Sequence, residues 1–476
     1  MVSTASASVQ VSGLQYLPPA DVDLKTSSPN QFLLPLTAQV NSRDRLEIGG
    51  CDVVDLVQRF GSPLYILDED TLRAACAQYR EAFQRYYPGK SQVVFASKAW
   101  NCLATCAIAA SEGLGVEGVS GGEIYTALKA GVPIDRLYFH GNNKSRDELQ
   151  LAADAGCTIM IDNWLEIELL NAIATQVPHG RSADNPIPIM IRLTPGIECH
   201  THEYIRTGHL DSKFGFDPNQ LDRVFRFLCQ QPALRCVGLH AHIGSQIFEL
   251  QPHHDLAAVM VEWLQQAKSY GLPAQMLNVG GGLGIRYTED DDPPSIDDWA
   301  KTVGTAIADA CKAQNLEELP TLLCEPGRSL VGSACVTAYR VGSRKEIPDI
   351  RTYLSVDGGM SDNPRPITYQ SLYRAAIADR MSAPFMETVT VAGKHCESGD
   401  IVLQAAQLPH TQPGDTIVVM GTGAYNYSMA SNYNRLPRPA AVLVKDGEAN
   451  IFLKRETYHD LLRQDCLPSR LVSEDG

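Results

Sequence analysis

The chain is short of several features, and each shortage narrows what it can be. Positive charge is scarce: 40 Lys and Arg stand against 55 Asp and Glu in 476 residues, for a net charge of −15. That balance argues against nucleic acid or an anionic membrane as the main partner, because both are gripped by basic patches. A local basic pocket for a small anion remains open. No apolar run approaches the roughly 18 residues that a membrane span requires. The 13 cysteines contain no CxxC pair, and their odd number and scattered spacing oppose a secreted disulfide framework and fit a reducing cytoplasm. Most of them read as small buried hydrophobes. The first 45 residues lack clear periodicity and contain no Arg before Arg43, while Asp21 and Asp23 intrude among Ser, Thr, Pro and Gln. No basic segment leads into an apolar one, so a secretory signal is not expected. Residues 1–45 are expected to be a flexible extension, with a plastid transit peptide as the minor alternative.

Hydrophobic residues make up 44% and charged residues 20%, which is the texture of a soluble globule of two or three domains. From residue 68 to 330, short β-branched runs alternate with amphipathic stretches. The segment DEDTLRAACAQYREAFQRYY spaces its apolar residues as a helix does. Strand candidates then recur at 93–97, 115–120, 136–141, 158–162, 188–193, 237–244, 275–281 and 321–326. Eight strands alternating with helices imply a closed parallel (β/α)8 barrel. Residues 331–476 are short strand-like runs broken by Gly, Pro and Asp, an all-β C-terminal domain of barrel or sandwich type. Residues 46–67 are expected to lend that domain a further strand.

Polar residues collect at the strand ends, where such a barrel places its active site. Lys98 follows the first strand, Glu117 and Ser120 lie on the second, His140 on the third and Asp162 on the fourth. Arg192 ends the fifth; His242, Gly244 and Ser245 end the sixth; Gly280, Gly281 and Gly282 end the seventh; Glu325, Gly327 and Arg328 end the eighth. Each has a plainer alternative: Lys98 as a surface lysine, His242 as a satisfied core histidine, Glu325 and Arg328 as an ion pair. Together they match the needs of pyridoxal phosphate. A lysine takes the aldehyde, glycine N–H groups and an arginine take the phosphate, and a carboxylate keeps the pyridine nitrogen protonated.

The motifs FASKAW, EGVSGGEI, FHGNNKS, HTHEYIRTG with DSKFGF, HIGSQI, NVGGGLGI, EPGRSLVG, DGGMSDNPRP, CESGD and GAYNYSMASNYNRLPRP run in order from about residue 47 to 450. Their sequence resembles the fold-type III pyridoxal-phosphate decarboxylases, the class-II ornithine, lysine and arginine decarboxylase family, and most closely its branch acting on diaminopimelate. The resemblance implies that Lys98 carries the cofactor. His242, Ser245, Gly281, Gly282, Glu325, Pro326, Gly327, Arg328 and Tyr425 would surround it. Arg328, Arg365, Tyr369, Glu397 and Tyr425 would bind substrate, and Cys396 would donate the proton. It also implies a homodimer with shared active sites, CESGD reaching into the neighbouring barrel, and no metal. His395, in GKHCESGD, departs from the small residue or Pro that many relatives carry there.

The implied reaction is decarboxylation of meso-2,6-diaminopimelate to L-lysine and CO2, the last step of lysine biosynthesis. Charge matching favours it: Arg328 and Arg365 suit a distal carboxylate, and Glu397 suits a distal ammonium. The plainer alternative for Arg365 is a salt bridge between domains. Other readings of the whole chain are an arginine, ornithine or carboxynorspermidine decarboxylase on the same scaffold, a non-catalytic relative that binds or regulates, and a metal-dependent hydrolase using His200, His202 and His242.

Overall fold

The computed structural model describes residues 11–175, 184–197 and 212–471. After a small three-stranded sheet formed by Gln39–Val40, Leu46–Ile48 and Cys51–Asp52, strand β1 (Leu64–Asp68) runs directly into the helix Glu69–Tyr86, which Asp68 caps by accepting from the Thr71 N–H. Glu69 and Asp70 occupy its positive first turn. Its inner face, with Leu72, Ala75, Cys76, Tyr79 and Phe83, is buried, as the helical spacing predicts.

Eight strands then close a barrel: β2 (Ser91–Ala96), β3 (Gly115–Gly118), β4 (Leu137–Phe139), β5 (Thr158–Ile161), β6 (Ile187–Arg192), β7 (Leu234–His240), β8 (Met276–Asn278) and β9 (Thr321–Cys324). All pair in parallel, and β9 returns to β2 with Leu322 opposite Ser91. Alternation along each strand separates two apolar sets. Val94, Tyr138, Met160, Met190 and Leu323 pack with one another in the barrel interior, while their neighbours, such as Phe95, Phe139 and Ile191, join the surrounding helices in the main core. Of the expected helices, the one beginning at SRDELQ forms over Arg146–Ala155, with Ser145 and Glu148 making a capping box and Gly156 closing it in the left-handed region.

The second unit is mostly β: β10 (Cys335–Ile347), β11 (Arg351–Val356), β12 (Ala375–Ile377), β13 (Glu387–Ala392), β14 (Ile401–Leu408), β15 (Thr416–Val419), β16 (Ala440–Lys445) and β17 (Glu448–Leu453). The sheet order is β14-β13-β11-β10-β1-β16-β17, with β15 also on β10 and β12 on β15. Strand β1 lies antiparallel to β10 and parallel to β16. The architecture is therefore α/β, a (β/α)8 barrel followed by a β domain, as the alternating pattern implied.

The N-terminal segment departs from expectation. Residues 11–45 are packed, not trailing. Asn30 donates to the backbone oxygens of Gly284 and Pro294 at 3.1 and 2.9 Å, and its own carbonyl accepts from Arg286 N–H at 2.8 Å. Leu33, Leu34 and Leu36 are buried. The segment has only short 3-10 turns and a two-residue strand, Gln39–Val40, so no periodicity marks it in the sequence. His200, His202 and most of the HTHEYIRTG…DSKFGF region lie outside the described residues.

Candidate active site

The strand-end residues converge on one cavity of about 700 Å³, lined among others by Lys98, His242, Ser245, Gly281, Gly282, Glu325, Gly327, Arg328, Arg365, Tyr369 and Tyr425. Lys98 sits in a single 3-10 turn after β2, and its part-exposed side chain lines the cavity. Its Nζ lies 3.9 Å from Glu117 Oε1, a carboxylate 2% exposed. Tyr425 closes over the same side, its N–H bonding Ala99 O at 2.8 Å. Burial works against the Lys98 charge, but Glu117, Tyr425 and Glu325 outweigh it and lift the amine above its ordinary pKa.

Glu325 does not pair with Arg328. It faces inward, where His140 Nε2 lies 2.9 Å from Oε1, His240 Nε2 bonds Oε2 at 3.1 Å and Asn278 donates to Oε1 at 2.5 Å. Burial pushes this carboxyl up, yet the two histidines overcome burial and hold it well below the usual range. Glu117 goes the other way: burial first, then the nearby Glu325 charge, raise it well above normal, against the pull of Lys98. The two carboxyls are driven apart, Glu325 towards its ionised form and Glu117 towards its protonated one, as for two close buried carboxyls. Burial also keeps His140 and His242 below their usual pKa and takes His240 to about 4, which favours the neutral ring in each.

The glycine turn brings bare backbone to the cavity. A Cβ on Gly281 would stand 2.3 Å from Glu325 O, and one on Gly282, at φ +127°, would meet His253 and Gly244 O at 2.9 and 3.0 Å. No other residue fits at either position. His242 Nδ1 accepts from Gly281 N–H at 3.2 Å, which fixes its ring beside the turn. Pro326 O takes the Ala96 N–H at 3.0 Å, and Gly327 packs on Ala96, so the last turn is locked to the first strand.

Opposite lie two buried guanidiniums. Arg328 donates to Ser245 Oγ at 3.0 Å and to Tyr287 Oη at 2.7 Å. Arg365 donates to Tyr287 Oη at 2.7 Å and to Tyr373 Oη at 2.8 Å. Arg365 makes no salt bridge between domains; among the described residues neither arginine has a carboxylate partner. Two cations only 5% and 6% exposed, with no counter-charge beside them, mark a place for an anion.

Cys396 and Glu397 do not line this cavity. They are exposed on the turn between β13 and β14, with the Cys396 N–H held by Asn434 Oδ1 at 2.8 Å. Behind them His395 is buried, its Nδ1 2.6 Å from Asp400 Oδ2 and its ring stacked on Tyr433. Sequence reasoning did not single out His240, Asn278, Tyr287 or Tyr373. His240 carried a signal, standing two residues before His242. The cluster of His140, His240 and Glu325 is the one metal-compatible grouping among the described residues, with ligand atoms within 4.8 Å of one another; it does not include His242.

The donor set fits pyridoxal phosphate: an amine for the aldehyde, an ionised buried carboxylate for the ring nitrogen, and a glycine turn with a serine and an arginine for the phosphate. Barrel, β domain and this set define a pyridoxal-dependent decarboxylase of the barrel class. A family model described as "Pyridoxal-dependent decarboxylase, pyridoxal binding domain" matches residues 69–332. The diaminopimelate decarboxylase of Synechocystis sp. is 64% identical over 94% of this chain and 95% of its own; that of Bacillus subtilis is 44% identical over 90% and 97%. The crystal structure of the diaminopimelate decarboxylase of M. jannaschii in complex with L-lysine superposes with a TM-score of 0.84 at 30% identity, covering 94% of this chain and 100% of that one. The chain belongs to this family, on its diaminopimelate decarboxylase branch.

Proposed function

We propose that the protein decarboxylates meso-2,6-diaminopimelate to L-lysine and CO2, the closing step of lysine biosynthesis, in the cytoplasm. The observation that carries this reading is the pair of uncompensated buried guanidiniums, Arg328 and Arg365, across the cavity from Lys98 and Glu325. A substrate with a second carboxylate far from the reacting one is what such a pair suits. Ornithine, arginine and carboxynorspermidine readings have no comparable support.

Pyridoxal phosphate, when bound, supplies a sink for the electron pair left as CO2 departs. Lys98 would hold the aldehyde. Glu325 would keep the proton on the ring nitrogen, with His240 and Asn278 keeping Glu325 oriented. His242 would pack beside the ring. Ser245, Gly281, Gly282, Gly327 and Arg328 would take the phosphate end, with Pro326 fixing their turn and Tyr425 covering it. Arg365, Tyr369 and Arg328 hold the distal carboxylate. Cys396 of the partner subunit gives a proton to the α-carbon, and Glu397 of the partner subunit accepts from the distal ammonium. A homodimer with shared sites accounts for a thiol and a carboxylate that stand exposed and outside their own chain's cavity. The acidic body suits a small-molecule partner, not nucleic acid or membrane.

The test is direct: purified protein supplied with pyridoxal phosphate should release one CO2 and one L-lysine per meso-diaminopimelate, and none from ornithine or arginine. Turnover of ornithine at the higher rate would replace this reading.

A further inference from the structure

We propose that Tyr287 determines specificity for the distal carboxylate, by bridging Arg328 and Arg365 and fixing them side by side. The inference rests on the function proposed above and deepens it. The phenol oxygen has two lone pairs, and each receives a guanidinium N–H at 2.7 Å. The two donating nitrogens are therefore no more than twice that distance apart, close enough for one carboxylate to reach both arginines. Left to themselves, two like charges in a buried pocket would separate.

Tyr287 is itself rigid, which positioning requires. It is 7% exposed and lines the cavity. Its ring meets the Tyr373 ring edge-on at 5.3 Å. Its N–H bonds Asp291 Oδ2 at 2.9 Å, and the preceding Arg286 N–H is anchored on Asn30 O at 2.8 Å. Because both lone pairs are taken, the phenol can meet an anion in the cavity only by donating its proton. Burial alone would make this phenol a weaker acid, but the flanking guanidiniums reverse that direction, as expected for an oxygen under two cations.

The test is Tyr287→Phe in the holoenzyme, which keeps the ring and its packing. With cofactor content unchanged by visible absorbance, KM for meso-diaminopimelate should rise about 10-fold while kcat stays within about twofold, the pattern of lost binding without lost chemistry. Calorimetry should show L-lysine, which retains the distal carboxylate, binding about 10-fold more weakly, as expected for losing one ordering contact on a charged group. Pentane-1,5-diamine, which has no carboxylate, should bind as before. Unchanged lysine affinity, an equal loss for the diamine, or loss of cofactor from the variant would each overturn the assignment. A wild-type protein inert toward meso-diaminopimelate would overturn the proposed function instead, and the lysine-binding comparison would still decide the role of Tyr287.

Discussion

Glu325 commits its oxygens in two directions, to His240 on one side and to Asn278 and His140 on the other. An amide presents only one acceptor oxygen, so Glu325→Gln breaks this arrangement and removes the negative charge opposite the ring nitrogen. We expect cofactor to remain bound and turnover to fall by about 100-fold or more, within the range for a lost acid–base group; steady-state rates beside the visible spectrum check it. Lys98→Ala should lose both turnover and the absorbance of the bound cofactor, which separates the two residues. Lys98, Glu325 and Arg328 were legible in the sequence because charged residues next to glycine turns or strand ends have few structural reasons to be there, whereas Arg365 was legible only through resemblance. Tyr287 was not, since a tyrosine in the acidic loop GIRYTEDDD looks like surface until folding places two arginines on its hydroxyl. Cys396 and Glu397 were legible only through resemblance: nothing in CESGD alone announces a site, and within one chain they face away from it.

Among the elements, the helix Gln251–Ser269 carries His253 beneath the glycine turn, 3% exposed and edge-on to Trp299 at 5.4 Å. Burial lowers this histidine to about 3. Between pH 6.5 and 3 the unfolded chain therefore binds a proton that the folded one refuses. Stability from this group is complete above pH 6.5 and is lost as pH falls, by about 1.4 kcal/mol per pH unit. His253→Phe should flatten that slope by one proton's worth, measured as urea unfolding free energy from pH 7 to 4.5. The turn bearing Cys396 depends on Asp400, which accepts from His395 N, His395 Nδ1 and Met360 N at 3.0, 2.6 and 2.7 Å. Asp400→Ala strands these three donors and should cost about 3 kcal/mol or more, at 1–3 per unsatisfied group, with slower turnover because the neighbouring thiol loses its support. All eight barrel strands could be read from β-branched runs, to within four residues at each end. The N-terminal segment could not, because its contacts are single side-chain anchors such as Asn30 that leave no repeating pattern.

For the whole molecule, the shared-site dimer proposed above predicts complementation. Lys98→Ala and Cys396→Ala protomers are each expected to be nearly inactive, yet random mixing should recover about a quarter of wild-type activity, because half the dimers are mixed and each holds one intact site. No recovery after verified exchange would mean that lysine and thiol act within one subunit. One feature of the sheet bears on how the chain reaches its form. Strand β1 leaves the ribosome before the barrel, but its partners β10 and β16 begin only at Cys335 and Ala440. At about 5–20 residues per second, some 270 intervening residues impose a wait of roughly 15–50 s during which Leu64–Asp68, an apolar edge, has nothing to pair with. The barrel is in effect an insertion within the β domain. Biogenesis of the two units is thus interleaved, and the vulnerable interval falls between them. Relocating β1 to the carboxyl end by circular permutation would abolish that interval and should raise the soluble yield of nascent protein at elevated temperature.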